Sequence, residues 1–531
     1  GSQTYSGATT LAATPITLTT TNSDVSFGGT LNGNVASRAL TIAAGTGNVT
    51  FTGAVGGGTA LGAVAITAAT TTNSSTWVGS STLGITGNAV INGAISGITS
   101  LSISGTTNLG ANVTTTAVGG QTYSGAVTIT GSAVTLDSTS GTGPVLFSST
   151  VNSAANIGNT ASAANPLTVT TGSGNVTFTG VVGGGTNGAL GALTVNSTGT
   201  TTFSAAVTAA SVTTNAGGTT AINGGTITTT GAQTYNDAVT LGAATTLTSS
   251  SSGNINLAST VNGAQALTIN TAGTTTFGGI VGGTTALTSI TTDAAGSLAI
   301  NGGAITTTGA QTYNDNVTLG ADTTLTGTTI TTKGTISGAY GLAISGNAVF
   351  GDGTTDTITL SGTNKALSVS GTTTINTDTV TTSGAQTYTG AVTLGAGTTL
   401  TTTDSLVWFK STVGNSAAKT LSISSGTGGV TFANTVGATT ALGAISLTTT
   451  GTTTLSNTVA AASFNSGAGT TAINGGSITT SGAQTYNGAV TLGADTTLTG
   501  TTITTKGTIS GAYGLTITGN AVFGDGTSDT I

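Results

Sequence analysis

Hydrophobic and polar residues alternate along most of this chain in short runs separated by glycine. Runs such as "AVTL" at 391–394, "LSIS" at 421–424 and "LTIT" at 515–518 place an apolar side chain at every second position. A period of two is the pattern of a β-strand with one buried face, and Val, Ile and Thr favour strands. No long stretch has the 3.6-residue period of a helix, and Gly and Thr are poor helix formers. The pattern therefore predicts an all-β fold of short strands.

A recurring "QTY" motif sets the repeat length. Its tyrosines are Tyr5, Tyr123, Tyr235, Tyr313, Tyr388 and Tyr486, at successive sequence offsets of 118, 112, 78, 75 and 98. Division of these offsets by 6, 6, 4, 4 and 5 gives a unit of about 19 residues, which three short strands with their turns would fill. Stacked coils of this kind form a parallel β-helix. We predict one continuous β-solenoid over residues 1–531, with about 19–20 residues per coil and roughly 27 coils.

Two longer segments repeat almost without change. Residues 309–358 and 482–531 agree at 45 of 50 positions, at a sequence offset of 482 − 309 = 173, which corresponds to about nine coils. A second block, "GNVTFTGAVGGG" at 47–58, recurs as "GNVTFTGVVGGG" at 174–185. Its Gly-rich end is a turn signal, because glycine accepts a positive φ. The order of strand, Gly-rich corner and strand therefore returns at coil spacing.

The alternation also predicts which side chains point into the coil. In the first long repeat the predicted inward residues are Val317, Leu319, Leu325, Ile330, Ile336, Leu342 and Ile344. Their counterparts in the second long repeat include Val490, Leu492, Ile503 and Ile509. The intervening Thr residues are expected to face outward, where their side chains form pairs between neighbouring strands.

Two other hypotheses, a string of immunoglobulin-like domains and a disordered chain, agree less well with the sequence. A string of immunoglobulin-like sandwiches needs about 100 residues per domain, whereas matching motifs recur at offsets as different as 75 and 118. Trp77 and Trp408 are the only Trp residues, and no Cys recurs at domain intervals. A disordered chain is usually charged and poor in β-branched residues, which this chain is not.

Composition excludes several kinds of partner. Charged residues make up 4% of the chain, with 6 Lys and Arg against 13 Asp and a net charge of −7. Nucleic acid as a partner is excluded because it requires a basic patch. No apolar run reaches the ~18 residues of a membrane-spanning helix, and the first residues, "GSQTYSGATT", lack the basic start of a signal peptide. We therefore expect no membrane span in this segment.

Units such as "GAVTLGADTTLTG" at 488–500 and "GNVTFTGAVGGG" at 47–58 resemble the repeat bodies of large bacterial surface and secreted proteins. Those proteins are filamentous-haemagglutinin-like adhesins and autotransporter passenger domains. The resemblance implies a right-handed parallel β-helix at the cell surface or outside the cell, acting as a stalk, fibre or adhesin body, as in a biofilm. It implies partners of three kinds: other copies of the chain, bound laterally or end to end, a host surface, or a matrix polysaccharide.

Two further expectations concern the wider assembly. The secretion domain and membrane-barrel strands of that family are not recognisable here, so we expect the chain to be a fragment of a longer one. Its first and last coils repeat interior motifs, so we expect each to be covered by more of the same chain or by the next subunit. Excised, the fragment is then expected to associate end to end. The alternative role is a subunit of a self-assembling extracellular filament or sheath.

Few residues are suited to catalysis or metal binding. The chain has no His, Glu or Cys, so a carbohydrate-active β-helix enzyme, which works with clustered carboxylates, is a remote alternative. The closest acidic pairs are Asp352 with Asp356 and Asp525 with Asp529. Both lie in a Gly-rich turn that weakly resembles calcium-binding nonapeptide repeats, but each turn stands alone, so we expect a capped, solvated turn. We predict no enzyme activity, no cofactor and no metal site.

Two further features are expected on the surface: a pair of equivalent lysines and several runs of Thr. Lys333 and Lys506 occupy equivalent positions in "TTKGTISG", and we interpret them as charges that block stray strand pairing. Runs of Thr, such as 228–230 and 306–308, raise the idea of an ice-binding face. Such a face needs Thr at the same place on successive coils, and because Gly-rich segments of varied length separate these runs, we do not expect it.

Overall fold

The computed structural model describes residues 1–154, 164–185, 188–353, 355–524 and 530. About 56% of the chain is strand and 1% is helix, and parallel strands stack in about 25 turns of a β-solenoid. This confirms the predicted all-β, parallel β-helical fold. The chain divides into two compact units, Gly1–Thr275 and Thr276–Ile531. Among the described residues, no helix is both long enough and apolar enough to cross a membrane.

Short strands follow one another through the first unit, and many have only three or four residues. They are Gln3–Tyr5, Thr9–Leu11, Ile16–Thr19, Val25–Phe27, Leu31–Gly33, Arg38–Ala43, Val49–Phe51, Leu61–Asn73, Trp77–Val78, Thr82–Ile91, Ile95–Ile103, Thr107–Leu109, Val113–Tyr123, Val127–Ile129, Val134–Asp137, Val145–Phe147, Val151–Ser153, Leu167–Gly172, Val176–Phe178, Leu190–Ser197, Thr200–Phe203, Val207–Thr214, Thr219–Ile222, Thr226–Thr229, Gln233–Tyr235, Ala238–Leu241, Thr245–Ser249, Ile255–Leu257, Val261–Asn262 and Ala266–Thr271. A turn of 3₁₀ helix covers Thr139–Gly141, and a further strand covers Thr274–Phe277.

The second unit has the same construction. Its strands are Ser289–Thr292, Ser297–Ile300, Ala304–Thr306, Gln311–Tyr313, Asn316–Leu319, Thr323–Thr332, Ile336–Gly338, Leu342–Phe350, Thr357–Leu360, Leu367–Val369, Thr373–Ile375, Thr379–Thr382, Gln386–Tyr388, Val392–Leu394, Thr398–Thr402, Val407–Phe409, Val413–Asn415, Leu421–Gly426, Val430–Phe432, Leu442–Thr449, Thr453–Leu455, Val459–Asn465, Thr471–Ile473, Ser477–Thr480, Gln484–Tyr486, Val490–Leu492, Thr496–Thr505, Ile509–Ser510 and Leu515–Phe523. Longer strands, such as Thr323–Thr332, continue from one face of the coil onto the next.

Strands pair in parallel with strands about one coil further along the chain. Val317 pairs with Ile336, at a sequence offset of 336 − 317 = 19, as predicted for a regular coil. Other coils are longer, because Val134 pairs with Leu167, at an offset of 167 − 134 = 33. The parallel register is kept in coils of both lengths. A slip of one residue would turn the apolar side chains outward.

Each coil contributes one strand to each of three faces. In the second unit, the strand Gln386–Tyr388 belongs to face A, Val392–Leu394 to face B and Thr398–Thr402 to face C. Each pairs with the strand on the same face of the next coil; these strands are Val407–Phe409, Val413–Asn415 and Leu421–Gly426, in that order. The core therefore lies between three parallel sheets and runs the length of the unit.

The core consists of the inward-facing residues of these short strands. All the residues predicted to point inward in the two long repeats are buried, with Ile509 the most accessible at 6%. The prediction of the aliphatic core is therefore confirmed. The expectation that the intervening Thr residues face outward is wrong for Thr323 and Thr332, which are each 2% exposed, because they continue the inward alternation of Leu325 and Ile330. Burying an aliphatic side chain of this size contributes about 1.5–3 kcal/mol, so the many short strands together supply the hydrophobic stabilisation that their hydrogen bonds alone could not.

Aromatic side chains stack on one another inside the coils. Tyr123 and Phe147 have ring centroids 5.3 Å apart, and Phe147 and Phe178 have centroids 4.9 Å apart, with nearly parallel planes in both pairs. A second such stack joins Tyr388, Phe409 and Phe432. The spacing follows from parallel register, because strands on one face are about 4.8 Å apart. Each stack begins at the tyrosine of a "QTY" motif.

The "QTY" motif does not return to the same face of the solenoid. In the second unit Tyr388 lies on face A. The pairing of Tyr313 leads through Phe350 and Ile375 to Leu394, so Tyr313 lies on face B. The strand Gln484–Tyr486 connects through Phe464 to face C. Division of the spacings by whole numbers of coils was therefore wrong, because each of these steps stops one strand short of a full turn. Coils are therefore longer on average than predicted, and about 25 turns are present rather than 27.

Candidate functional site

The "QTY" motif places a polar pair in the apolar interior. Gln311 and Tyr313 are two residues apart on one strand, both point inward, and neither is exposed to solvent. The Tyr313 hydroxyl donates a hydrogen bond of 2.7 Å to Gln311 Oε1. Gln311 Nε2 donates to the carbonyl oxygens of Ile305 at 3.2 Å and Thr326 at 2.8 Å. The two side chains thus satisfy each other and the backbone around them, as buried polar groups must.

The glutamine amide links two coils. Ile305 and Thr326 belong to neighbouring strands that pair with each other on the adjoining face. Because one amide group reaches carbonyls of both strands, it fixes the corner between two faces as well as the stacking of successive coils. The tyrosine is buried with it, and burial raises the pKa of Tyr313 far above its usual value. The pair is therefore neutral over the whole physiological pH range.

The same arrangement recurs throughout the chain. Tyrosine-to-glutamine hydrogen bonds of 2.7 to 3.2 Å occur in the pairs Gln3 and Tyr5, Gln121 and Tyr123, Gln233 and Tyr235, Gln311 and Tyr313, Gln386 and Tyr388, and Gln484 and Tyr486. In the last four pairs, a threonine hydroxyl four residues before the glutamine accepts a further bond of 3.3 Å from its amide. The "QTY" motif thus forms the same hydrogen-bonded pair of Gln and Tyr wherever it occurs, and we call this pair the clamp.

Two carboxylates also lie inside the coils. Asp237 and Asp315 are 1% and 2% exposed. Oδ1 of Asp237 accepts the Gly218 N–H at 2.8 Å, and Oδ1 of Asp315 accepts the Gly296 N–H at 2.9 Å. Burial is the largest influence on both groups and raises the pKa of each carboxyl, against the opposing effect of these hydrogen bonds. The other interior "QTY" motifs have glycine at this position, so the carboxylate is a local variation on the clamp.

Some residues in turns or at the first position of a strand connect one coil to the next through their side-chain oxygens. Asn316 Oδ1 accepts the N–H of Thr335 at 2.9 Å, and Asp322 Oδ1 accepts the N–H of Gly341 at 2.8 Å. Both partners lie 19 residues further on, that is, one coil away. Asn and Asp suit turns because their short side chains accept hydrogen bonds from nearby backbone N–H groups. Here they satisfy the backbone of the next coil instead of their own.

The calcium candidates fall into two groups. Asp525 and Asp529 lie outside the described residues. Asp352 and Asp356 share a turn in which Asp356 Oδ2 accepts the backbone N–H groups of Asp352 at 3.1 Å and Gly353 at 3.3 Å. A carboxylate that caps N–H donors has less capacity left for a cation. In the part of the chain that the structure describes, no three His, Cys, Asp or Glu residues are grouped closely enough to hold a metal ion.

The equivalent lysines occupy exposed positions directly after a strand. The backbone N–H of Lys333 donates to Tyr313 O at 2.9 Å, and that of Lys506 donates to Tyr486 O at the same distance. A third lysine, Lys365, forms an ion pair of 2.8 Å with Asp322. This hydrogen bond, together with the one from Gly341, lowers the pKa of Asp322. Because the Asp322 side chain is 67% exposed, the pair contributes little to stability.

Comparison with known proteins returned no match: no family model, no curated protein and no solved structure is similar to this chain.

Proposed function

We propose that this chain forms the body of an extracellular structural or adhesive solenoid, as a stalk, fibre or adhesin shaft at the cell surface. The polar groups buried in its interior support this role. Gln311, Tyr313 and Asp315 all bond to neighbouring side chains or backbone, so their chemistry is used in holding coils together. Because these interior polar groups bond to other parts of the protein, they support a structural role and are not free to act on a substrate.

The placement of the repeats is the single observation that carries the proposal. The "QTY" clamps at Tyr313, Tyr388 and Tyr486 lie on three different faces of the second unit. A repeated ligand site on the surface would be expected on one face, where several copies can contact one partner. A repeated internal clamp works equally well on any face. The repeats therefore fit a structural function, in which each coil only has to stack on the next.

The alternative is a subunit of a self-assembling extracellular filament or sheath. Low charge favours it, because the chain has 6 basic and 13 acidic residues in 531. Few like charges would oppose lateral contact between copies. Electron microscopy of native material would separate the two roles: single thin fibres on cells support a stalk, whereas ordered bundles of parallel fibres support a filament or sheath.

A carbohydrate-active enzyme stays a remote alternative. It would need at least two carboxylates opposite each other across a substrate groove. Asp237 and Asp315 are buried, and Asp322 is engaged with Lys365, which leaves the described acidic residues dispersed. The absence of activity is a prediction, to be tested with the purified chain and a panel of polysaccharides.

The proposed role is tested by deletion in the organism that makes the protein. Cells lacking the coding segment are compared with the parent by electron microscopy and by attachment to host cells and to matrix polysaccharide. Loss of surface fibres or of attachment, with normal growth, is the expected result. Unchanged fibres and unchanged attachment would contradict the proposal. A matched strain carrying Thr324→Ala, an exposed change, controls for effects of the genetic manipulation.

A further inference from the structure

Face C of the second unit carries a two-dimensional array of hydroxyl groups. Five successive strands on this face each present two outward side chains, separated by one inward residue. The pairs are Thr357 and Thr359, Thr379 and Thr381, Thr399 and Thr401, Ser422 and Ser424, and Ser446 and Thr448. All ten positions are Thr or Ser, and none carries a charge or a ring.

Strand pairing aligns these side chains in two columns. Thr379 pairs with Thr399, and Thr381 pairs with Thr401, and the same register continues through all five strands. The sequence offsets along the first column are 379 − 357 = 22, 399 − 379 = 20, 422 − 399 = 23 and 446 − 422 = 24. Segments of varied length therefore do not disturb the alignment, contrary to the expectation from the sequence, because the loops absorb the difference.

The array has a rigid base. The residue between the two outward side chains points inward on every strand: Ile358, Val380, Leu400, Ile423 and Leu447 are each at most 2% exposed. Columns are therefore fixed at about 4.8 Å from strand to strand and about 6.6 Å along the strand. In the coil that begins at Val407, the other two faces carry different residues at their outward positions. Outward positions on face A include Trp408, with Lys410 Nζ 4.2 Å from its ring centroid, and those on face B include Gly414.

The hydroxyls of the array are available to solvent. Within the described part of the chain, none of the ten forms a hydrogen bond to another protein group, although many inward threonine hydroxyls do, such as that of Thr382 to Gly384 O. Strands are about 4.8 Å apart, which exceeds hydrogen-bonding distance. Each hydroxyl, both donor and acceptor, must therefore bind water, and the threonine methyl groups beside it order the water further.

We propose that this array binds the surface of ice. The array presents ten hydroxyl groups at regular spacing in two dimensions. A ligand that contacts all of them must therefore repeat its own binding groups at a similar spacing. The spacings are close to the repeat of oxygen atoms on a surface of hexagonal ice, so water bound to the hydroxyls can join the lattice. A sugar polymer is less suitable, because the array offers no aromatic ring against which the apolar face of a sugar could pack.

The test uses the purified chain and single ice crystals. Thr399→Lys and Thr401→Lys place a long charged side chain at the centre of the array, and both positions have room for it because neither is buried. Thr393→Lys is the matched control, since Thr393 is exposed on face B. Circular dichroism confirms that all variants retain the strand content of the parent. Crystal shape and the gap between melting and freezing temperatures are then measured.

The parent and Thr393→Lys are expected to shape growing crystals and to separate melting from freezing, whereas both array variants lose these effects. A parent chain that leaves ice growth unchanged would overturn the inference, as would array variants as active as the parent. Cosedimentation with cellulose or chitin forms a second arm. Binding there that the array variants lose, without any effect on ice, would assign the face to a polymer instead. Neither arm depends on where the protein is located, so failure here leaves the proposed stalk role intact.

Discussion

The contribution of the buried Gln311 and Tyr313 pair can be measured by removing one hydroxyl. Tyr313→Phe deletes the donor to Gln311 Oε1 and leaves that oxygen buried without its partner. Such an unsatisfied group costs about 1–3 kcal/mol, so we expect a loss of that size in the free energy of unfolding. Tyr513→Phe is the control, because Tyr513 is 50% exposed. Equal effects of the two substitutions in denaturant unfolding would show that the clamp is unimportant.

Asp315 is expected to make the stability of the folded protein depend on pH. Burial raises the folded-state pKa of this carboxyl above the unfolded value, with the charge of Asp293 adding to the rise. The folded state therefore favours the protonated form. Its contribution is fully present below the unfolded pKa of about 3.9 and is lost as pH rises through the folded pKa.

Asp315→Asn imitates the protonated carboxyl and does not titrate. We expect the melting temperature of this variant to rise relative to the parent as pH increases from acidic values to neutrality. Asp322→Asn is the control of opposite sign, because Lys365 and Gly341 lower the pKa of Asp322. That contribution is present above the unfolded pKa and is lost as pH falls. A constant difference between Asp315→Asn and the parent across this range would contradict the assignment.

The residues of the clamp could be found in the sequence, but their role could not. Gln and Tyr two positions apart on a strand share a face, so a buried tyrosine implies a buried glutamine beside it. The sequence does not show which group accepts the hydrogen bond of the glutamine amide, because the acceptor, Thr326 O, lies 15 residues further along the chain. Asp237 and Asp315 were missed for a similar reason: an Asp in a turn between two strands is usually exposed, and only the folded coil encloses it.

At the scale of the strand, inward and outward positions should differ sharply in their tolerance to substitution. Leu325 is 2% exposed and stacks between Ile305 and Ile344. Leu325→Ala is expected to cost about 2–5 kcal/mol, expressed as faster amide hydrogen exchange in the adjacent coils. Thr324→Ala, next to it on the same strand and facing solvent, is expected to have almost no effect. Similar exchange in the two variants would mean that the register is wrong.

Strand positions were predicted well because alternation identifies inward residues directly. Coil length was harder to predict. Regular coils such as that from Val317 to Ile336 have the predicted length, but the coil from Val134 to Leu167 is much longer. Loops outside the strands carry no constraint from strand pairing, so their lengths vary without any periodic signal. For the same reason the alignment of Thr399 with Ser422 could not be inferred from spacing.

At the scale of the whole chain, the two copies of the long repeat lie on different faces of the solenoid. The offset between the copies that begin at Gly309 and Gly482 was interpreted as nine coils. Pairing shows that Gln311 lies on face B and Gln484 on face C, so the second copy is turned by one strand relative to the first. Segments of nearly identical sequence pack in the same way locally, but the sequence does not show which face of the solenoid each segment occupies. In a solenoid this is sufficient, because each coil needs only its neighbours.

The most direct test of the proposed role is labelling of the protein on cells that produce it. An antibody against the exposed turn at Lys333 is applied with gold particles to intact cells and to permeabilised cells. We expect equal labelling of both, with particles at the cell surface or on fibres that leave it. Labelling that appears only after permeabilisation would place the solenoid inside the cell and contradict the proposed role.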